Sequence, residues 1–150
     1  MTTIKLQTEI NAPIKTVFDL NRNIDIHKQS TSKSKETAID GVVSGLISKG
    51  ETVTWRGKHF GIYLTHKSTI PEMEIPIYFV DEMLEGRFKR FKHTHTFQQK
   101  NGGTIMSDTI EYETPFGLAG KIFNTIILKK HLTNFITERN NFIKQIAEKH

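Results

Sequence analysis

Cysteine is absent from all 150 residues, which excludes disulfides, thiol catalysis and cysteine-ligated zinc. No apolar run approaches the ~18 residues of a membrane span, so no stable membrane insertion is expected. The opening Met1-Thr2-Thr3-Ile4-Lys5 lacks the charged-then-apolar build of a signal peptide. Together with the missing cysteine, that fits a cytoplasmic setting. Internal repeats, low-complexity tracts and Pro/Ser/Gly-rich linkers are also missing, so residues 1–150 are expected to form a single domain. No serine-nucleophile motif, glycine-rich phosphate loop or paired-carboxylate arrangement stands out. No cofactor is expected, and the residues alone do not decide whether the chain is an enzyme.

The residues present are those of an ordinary soluble globule, 36% hydrophobic and 25% charged. A net charge of +5 and a pI near 9.4 raise the question of nucleic acid. The basic residues are scattered, however: Lys28, Lys33 and Lys35, then Arg87 to Lys92, then Lys129 and Lys130. No aromatic-interleaved stripe accompanies them. A solvated basic surface with no nucleic-acid partner is the expectation.

The most organised stretch is Phe116 to Lys149. It follows the Thr114-Pro115 break and contains no further proline. Apolar residues recur in steps of three and four: Leu118/Ala119, Ile122/Phe123, Ile126, Leu132, Phe135/Ile136, Phe142/Ile143 and Ile146. Lys121, Lys129, Lys130, Glu138, Arg139, Lys144 and Glu148 form the charged side. Such a helix is on the order of 45 Å long at roughly 1.5 Å per residue. It needs a broad apolar surface, and the strands before it suggest a curved sheet.

Ile4 to Ile10 alternates as a half-buried strand. Asn11-Ala12-Pro13 then starts a short helix burying Ile14, Val17 and Phe18, with Asn11 suited to the N-cap and Pro13 to the first turn. A second short helix covers about Asn23 to Ser30, and Lys33 to Asp40 reads as a strand. Hairpins follow from Glu51, with a turn at Phe60-Gly61. Pro71 and Pro76 are expected to bracket a loop, since neither can donate to a central ladder. Ile77 to Leu84 reads as a strand covered on both faces. Phe88 to Gln98 then turns at Asn101-Gly102-Gly103 and returns as Thr104 to Glu113. Pairing Phe97 with Met106 sets His95 opposite Asp108 and carries Phe91, His93, His95, Phe97 and Asp108 into an otherwise apolar interior.

Several stretches together resemble the START / birch-pollen-allergen-like superfamily, also called SRPBCC. Ile10-Asn11-Ala12-Pro13 with Val17-Phe18 is similar to its first strand-to-helix corner. Gly50 to Trp55 with His59-Phe60-Gly61, Val80 to Met83, Gly86, His93 to Phe97, and Gly103-Thr104 with Asp108 continue the likeness. Tyr112 to Gly117 resembles the lead-in to the long helix. The ordered set covers nearly the whole chain and points to the polyketide-cyclase/dehydratase-like bacterial branch. The resemblance implies an α+β helix-grip fold: a bent antiparallel β-sheet wrapped around a long C-terminal helix, with two short helices after the first strand. It further implies a cavity for a lipid, polyketide or other hydrophobic small molecule. The superfamily shares no single catalytic motif, so no active site carries over.

His93 and His95 lie two apart on a strand and share a face. Three readings of them stand side by side. They are buried imidazoles satisfied by Asp108, a carbonyl or water; or they orient a ligand in an apolar pocket; or, with His59 or His66 as third ligand, they bind zinc. The metal reading is the weakest of these, and no metal is assigned. Paired with Asp108, His95 is the candidate general acid or base of a cyclase or dehydratase. The expected lining adds Trp55, His59, His66 and Tyr112 from the sheet and Phe123, Ile126 and Phe135 from the helix. His27 is expected at a helix end or on the surface, and Tyr63 on the surface. The leading expectation is a binding module for a hydrophobic small molecule. A third possibility, an interaction protein resembling the superfamily's chaperone activators, would show an exposed apolar patch and little internal volume. Oligomeric state has no signature in the sequence.

Overall fold

A computed structural model describes residues 1–149; His150, the last residue of the expected domain, lies outside them. Strand β1 (Thr2–Ile10) leads into helices α1 (Ile14–Asn21) and α2 (Ile24–Ser30). Strands β2 (Thr37–Gly41), β3 (Thr52–His59), β4 (Ile62–Glu74), β5 (Tyr78–Glu85), β6 (Arg90–Lys100) and β7 (Gly103–Glu113) follow. The chain ends in α3 (Gly117–Phe123), a π-helical turn (Asn124–Leu128) and α4 (Lys129–Glu148). The seven strands form one antiparallel sheet in the order β1-β7-β6-β5-β4-β3-β2.

The last hairpin follows its alternation. Asn101 and Gly102 both take positive φ, 50° and 81°, the left-handed conformation a tight hairpin turn requires. Phe97 pairs with Met106 and His95 with Asp108. At the other end of the chain, the Asn23 side chain accepts from the backbone N–H groups of Asp25 and Ile26 and caps α2. Asn11 does not cap α1. Pro13 occupies that position, and the Asn11 N–H donates to Glu148 Oε2 at 2.9 Å, tying the first corner to the end of α4.

Three expectations are corrected. Pro71 lies inside β4, not in a loop, at a break in register between Thr69 and Glu72; a bulge has no ladder position for the missing N–H to fill. The stretch expected as a strand from Lys33 begins as a 3₁₀ turn, Ser32–Ser34, before β2. The stretch expected to be covered on both faces is deeply buried only at Phe79 and Val80; Ile77, just before β5, and Leu84, near its end, are exposed.

The C-terminal helix runs without a gap from Gly117 to Glu148, but its two halves differ. In α4, Ile136, Ile143 and Ala147 are buried, and the helix packs on β1, α1 and α2. In α3 and the π turn only Gly120 and Leu128 are buried. Leu118, Ile122, Phe123 and Ile126, expected on the sheet, are exposed. The core forms two clusters. One gathers Phe18, Trp55, Ile70, Phe79, Phe97 and Ile143; the other holds Ile4, Ile110, Tyr112, Leu128 and Ile136.

Candidate functional site

Where α4 crosses the inner face of the sheet, the core turns polar. Asp108 is 1% exposed. Its Oδ1 lies 2.7 Å from His93 Nε2, and its Oδ2 accepts from Asn140 Nδ2 at 2.7 Å. Arg139, 3% exposed, donates from Nη1 to Asn21 Oδ1 and Asn140 Oδ1, and from Nη2 to the Asn21 carbonyl at 3.0 Å. Two strands (β6 and β7), the long helix and the short helix α1 therefore meet in one hydrogen-bonded network. Burial alone would raise the Asp108 carboxyl, but the His93 bond, the charge of Arg139 and the Asn140 bond outweigh it and hold the group below the usual carboxylate range. Burial lowers the Arg139 guanidinium, and the charges of Asp108 and Asp81 oppose that.

His95 stands apart within this network. Its ring lies flat between Phe79 (4.2 Å, 11°) and His93 (3.8 Å, 19°). That stacking leaves Nδ1 at 3.6 Å from Asp108 Oδ1, too far for a hydrogen bond. Nδ1 is buried and has no partner. Burial first, then the charges of His93 and Arg139, push the His95 imidazole well below its ordinary value. The expected His95–Asp108 pair is thus corrected. They face each other on the ladder, but His93, two residues along on the same face, takes the carboxylate.

These groups border a cavity of about 60 Å³ lined by Asn21, His27, Trp55, Asp81, His93, His95 and Arg139, with Ile70, Phe79 and Ile136 as apolar wall. Of the expected lining, only Trp55, His93 and His95 reach it. Asp108 sits behind His93. Phe97 packs into the core on Phe18, 5.2 Å between ring centres. Phe91 and Tyr112 belong to the second cluster, where the Tyr112 hydroxyl donates to Asn124. Phe135 packs against that cluster and lies 5.5 Å from His59. His66 stands edge-on to Phe91 at 5.3 Å. Phe123 leaves the sheet for Phe60, and Ile126 is 68% exposed. Asn124 and Leu128 are the residues of this stretch that meet Thr2, Tyr112 and the second cluster, whereas Phe123 in α3 and Ile126 in the π turn are exposed.

His59 belongs to a separate chain of contacts, Nδ1 to His131 Nε2 at 3.0 Å and Nε2 to buried Glu36 at 3.3 Å. It therefore cannot supply the third ligand of a zinc site with His93 and His95. Among the described residues, the group that could hold a metal is His93, His95 and Asp108, whose ligand atoms lie within 4.8 Å of one another. The buried Arg139 charge acts on the same carboxylate and opposes a cation there.

His27, Asp81, Arg139, Asn140 and Asn21 are functional candidates beyond the sequence reading. His27 stacks on Trp55 at 4.2 Å and, chiefly through burial, is held well below its ordinary value. It sits in the last turn of α2, the helix-end position expected, and is half-buried rather than on the surface. Arg139 and Asn140 carried a readable signal: three and four residues after Ile136, they fall on the buried stripe of α4. Asp81 pairs with His93 across β5 and β6, which becomes visible only once the strands are registered.

No protein-family model matches the chain, and no curated protein does. Solved structures do match. The TTHA0849 protein of Thermus thermophilus superposes with a TM-score of 0.75 at 15% identity, covering 97% of this chain and 99% of its own. Protein CV1439 of Chromobacterium violaceum gives 0.76 at 11%, covering 97% and 96%. Major latex-like protein 151 of Panax ginseng gives 0.72 at 15%, covering 97% of each chain. The chain shares the helix-grip fold of these structures. At such identities the likeness of this helix-grip chain to its neighbours is one of fold, and it carries no residue role across. The polar cluster rests on the geometry alone. Among the described residues, no helix is long and apolar enough to cross a membrane.

Proposed function

We propose that this helix-grip chain binds a hydrophobic small molecule between sheet and C-terminal helix, with an oxygen-bearing head, a carbonyl or carboxylate, at the polar cluster. The observation that carries this is the His95 Nδ1, buried and unpartnered on the wall of a cavity that Arg139 also reaches. A buried polar atom without a partner is costly, and a ligand oxygen or its proton would complete it. Trp55, Ile70, Phe79 and Ile136 supply the apolar contact that such pockets use for affinity. At about 60 Å³ the cavity suits a head group rather than a whole molecule of the ~300 Å³ class. The body of the ligand therefore parts Ile136 and Phe135 of α4 from Trp55 of β3.

Trp55, the chain's single tryptophan, lines the cavity, so its fluorescence reports occupancy. Titration with cis-parinaric acid is expected to show saturable energy transfer from Trp55, and His95→Leu is expected to weaken it by about tenfold, the loss of roughly one hydrogen bond to a charged group. Absence of transfer, together with native mass spectra showing only the bare chain, would overturn the proposal.

One observation favours a second reading, a cyclase or dehydratase-type enzyme. The Asp108 carboxylate orients His93, and the neighbouring imidazole of His95 is kept neutral with a free nitrogen at the cavity. Such a pair has the parts to move a proton beside a ligand carbonyl. Turnover of a polyketide-like ketone that His95→Asn leaves unchanged would remove His95 from that role.

A further inference from the structure

We propose that the first half of the C-terminal helix is a docking surface for an anionic lipid membrane, met side-on and peripherally. Phe116 is 85% exposed, Leu118 74%, Ile122 52%, Ile126 68% and Ile127 43%. Leu118, Ile122 and Ile126 follow one another at intervals of four, and Phe60 at the β3–β4 turn adds to the patch through its contact with Phe123. A protruding segment with this much apolar surface is not explained by the core, and contiguous patches of that kind mark interaction sites.

The charge pattern selects the partner. From residue 114 to residue 137 there is no Asp or Glu, while Lys121, Lys129 and Lys130 are all exposed. Lys58, also exposed, lies on the adjoining hairpin. A second copy docking on this face about a two-fold axis would set the same lysines against one another. An anionic bilayer has the opposite character: it accepts apolar side chains at the headgroup boundary and attracts the lysines, whose stems lie along the apolar surface with the ammonium groups outward. The segment lies in the plane of the interface rather than across it. This goes beyond the pocket and does not depend on it.

Flotation with vesicles separates the outcomes. The full chain is expected to float with vesicles of equal parts phosphatidylcholine and phosphatidylglycerol, and to stay behind with phosphatidylcholine alone. Lys129→Ala/Lys130→Ala should lower partitioning about 30-fold, two lysines at roughly 1 kcal/mol each. Leu118→Ser/Ile126→Ser, both at exposed sites, should abolish flotation without changing the melting temperature. No flotation of the unmodified chain would overturn the proposal, as would flotation unaffected by either pair. A chain that ignores vesicles would also overturn it if its self-association, or its binding to a purified chaperone, is lost on Leu118→Ser/Ile126→Ser. The patch would then be a protein interface.

Discussion

Asn140 and Asn141 carry the same side chain one helical step apart, and the fold uses them in opposite ways. Asn140 is 2% exposed and donates to Asp108; Asn141 is exposed. Removing the first leaves one carboxylate oxygen of a buried charge without its donor. Asn140→Ala should therefore cost about 2–3 kcal/mol in urea unfolding, and Asn141→Ala less than about 0.5 kcal/mol. Equal costs would mean that the Asp108 network does not hold the helix. The contrast also shows where the sequence reading stopped. Charge alone puts Arg139 on the polar side of the rod, but its spacing from Ile136 and Ile143 sets it on the buried stripe. Residue type and helical phase disagreed there, and phase decided the position.

Among the elements, the β6–β7 hairpin was legible because a two-residue left-handed turn and strict alternation leave one register that buries Phe97, Met106 and Ile110 together. The periodicity of α3 overstates its burial, because apolar spacing reports a face that could be buried, not whether a surface waits for it. The Glu36–His59–His131 contacts had no local signal at all; their members lie 23 and 72 residues apart. Gly57 is what makes room for them. A Cβ there would lie 1.9 Å from Glu36 Oε2 and 2.4 Å from its Cδ, while Glu36 is itself buried and held by His59. Gly57→Ala should cost about 1–3 kcal/mol. In a chain already carrying Glu36→Ala the same change should cost clearly less, since the obstructing carboxylate is gone. The same cost in both backgrounds would place the strain elsewhere in β3.

At the scale of the whole molecule, the imidazoles tie stability to pH. His27 and His95 are pushed well below their ordinary value, in both cases chiefly by burial, and His66 and His131 are lowered for the same first reason. The unfolded chain takes up these protons below about pH 6.5, whereas the folded chain refuses them until lower pH. Their contribution is therefore fully present above about pH 6.5 and is lost as pH falls toward the folded values. Asp108, held low in the fold, contributes above the ordinary carboxylate range near pH 4 and loses that contribution only in stronger acid. Urea unfolding between about pH 7.5 and 5.5 should show stability falling with pH, His95 alone adding a slope of up to about 1.4 kcal/mol per unit at the lower end. His95→Gln should remove one proton's worth of that slope. A flat profile would mean that water reaches these rings and that the polar cluster is not sealed between sheet and helix. The unpartnered His95 nitrogen would then already be satisfied, and the case for a ligand head group beside it would fall with the slope.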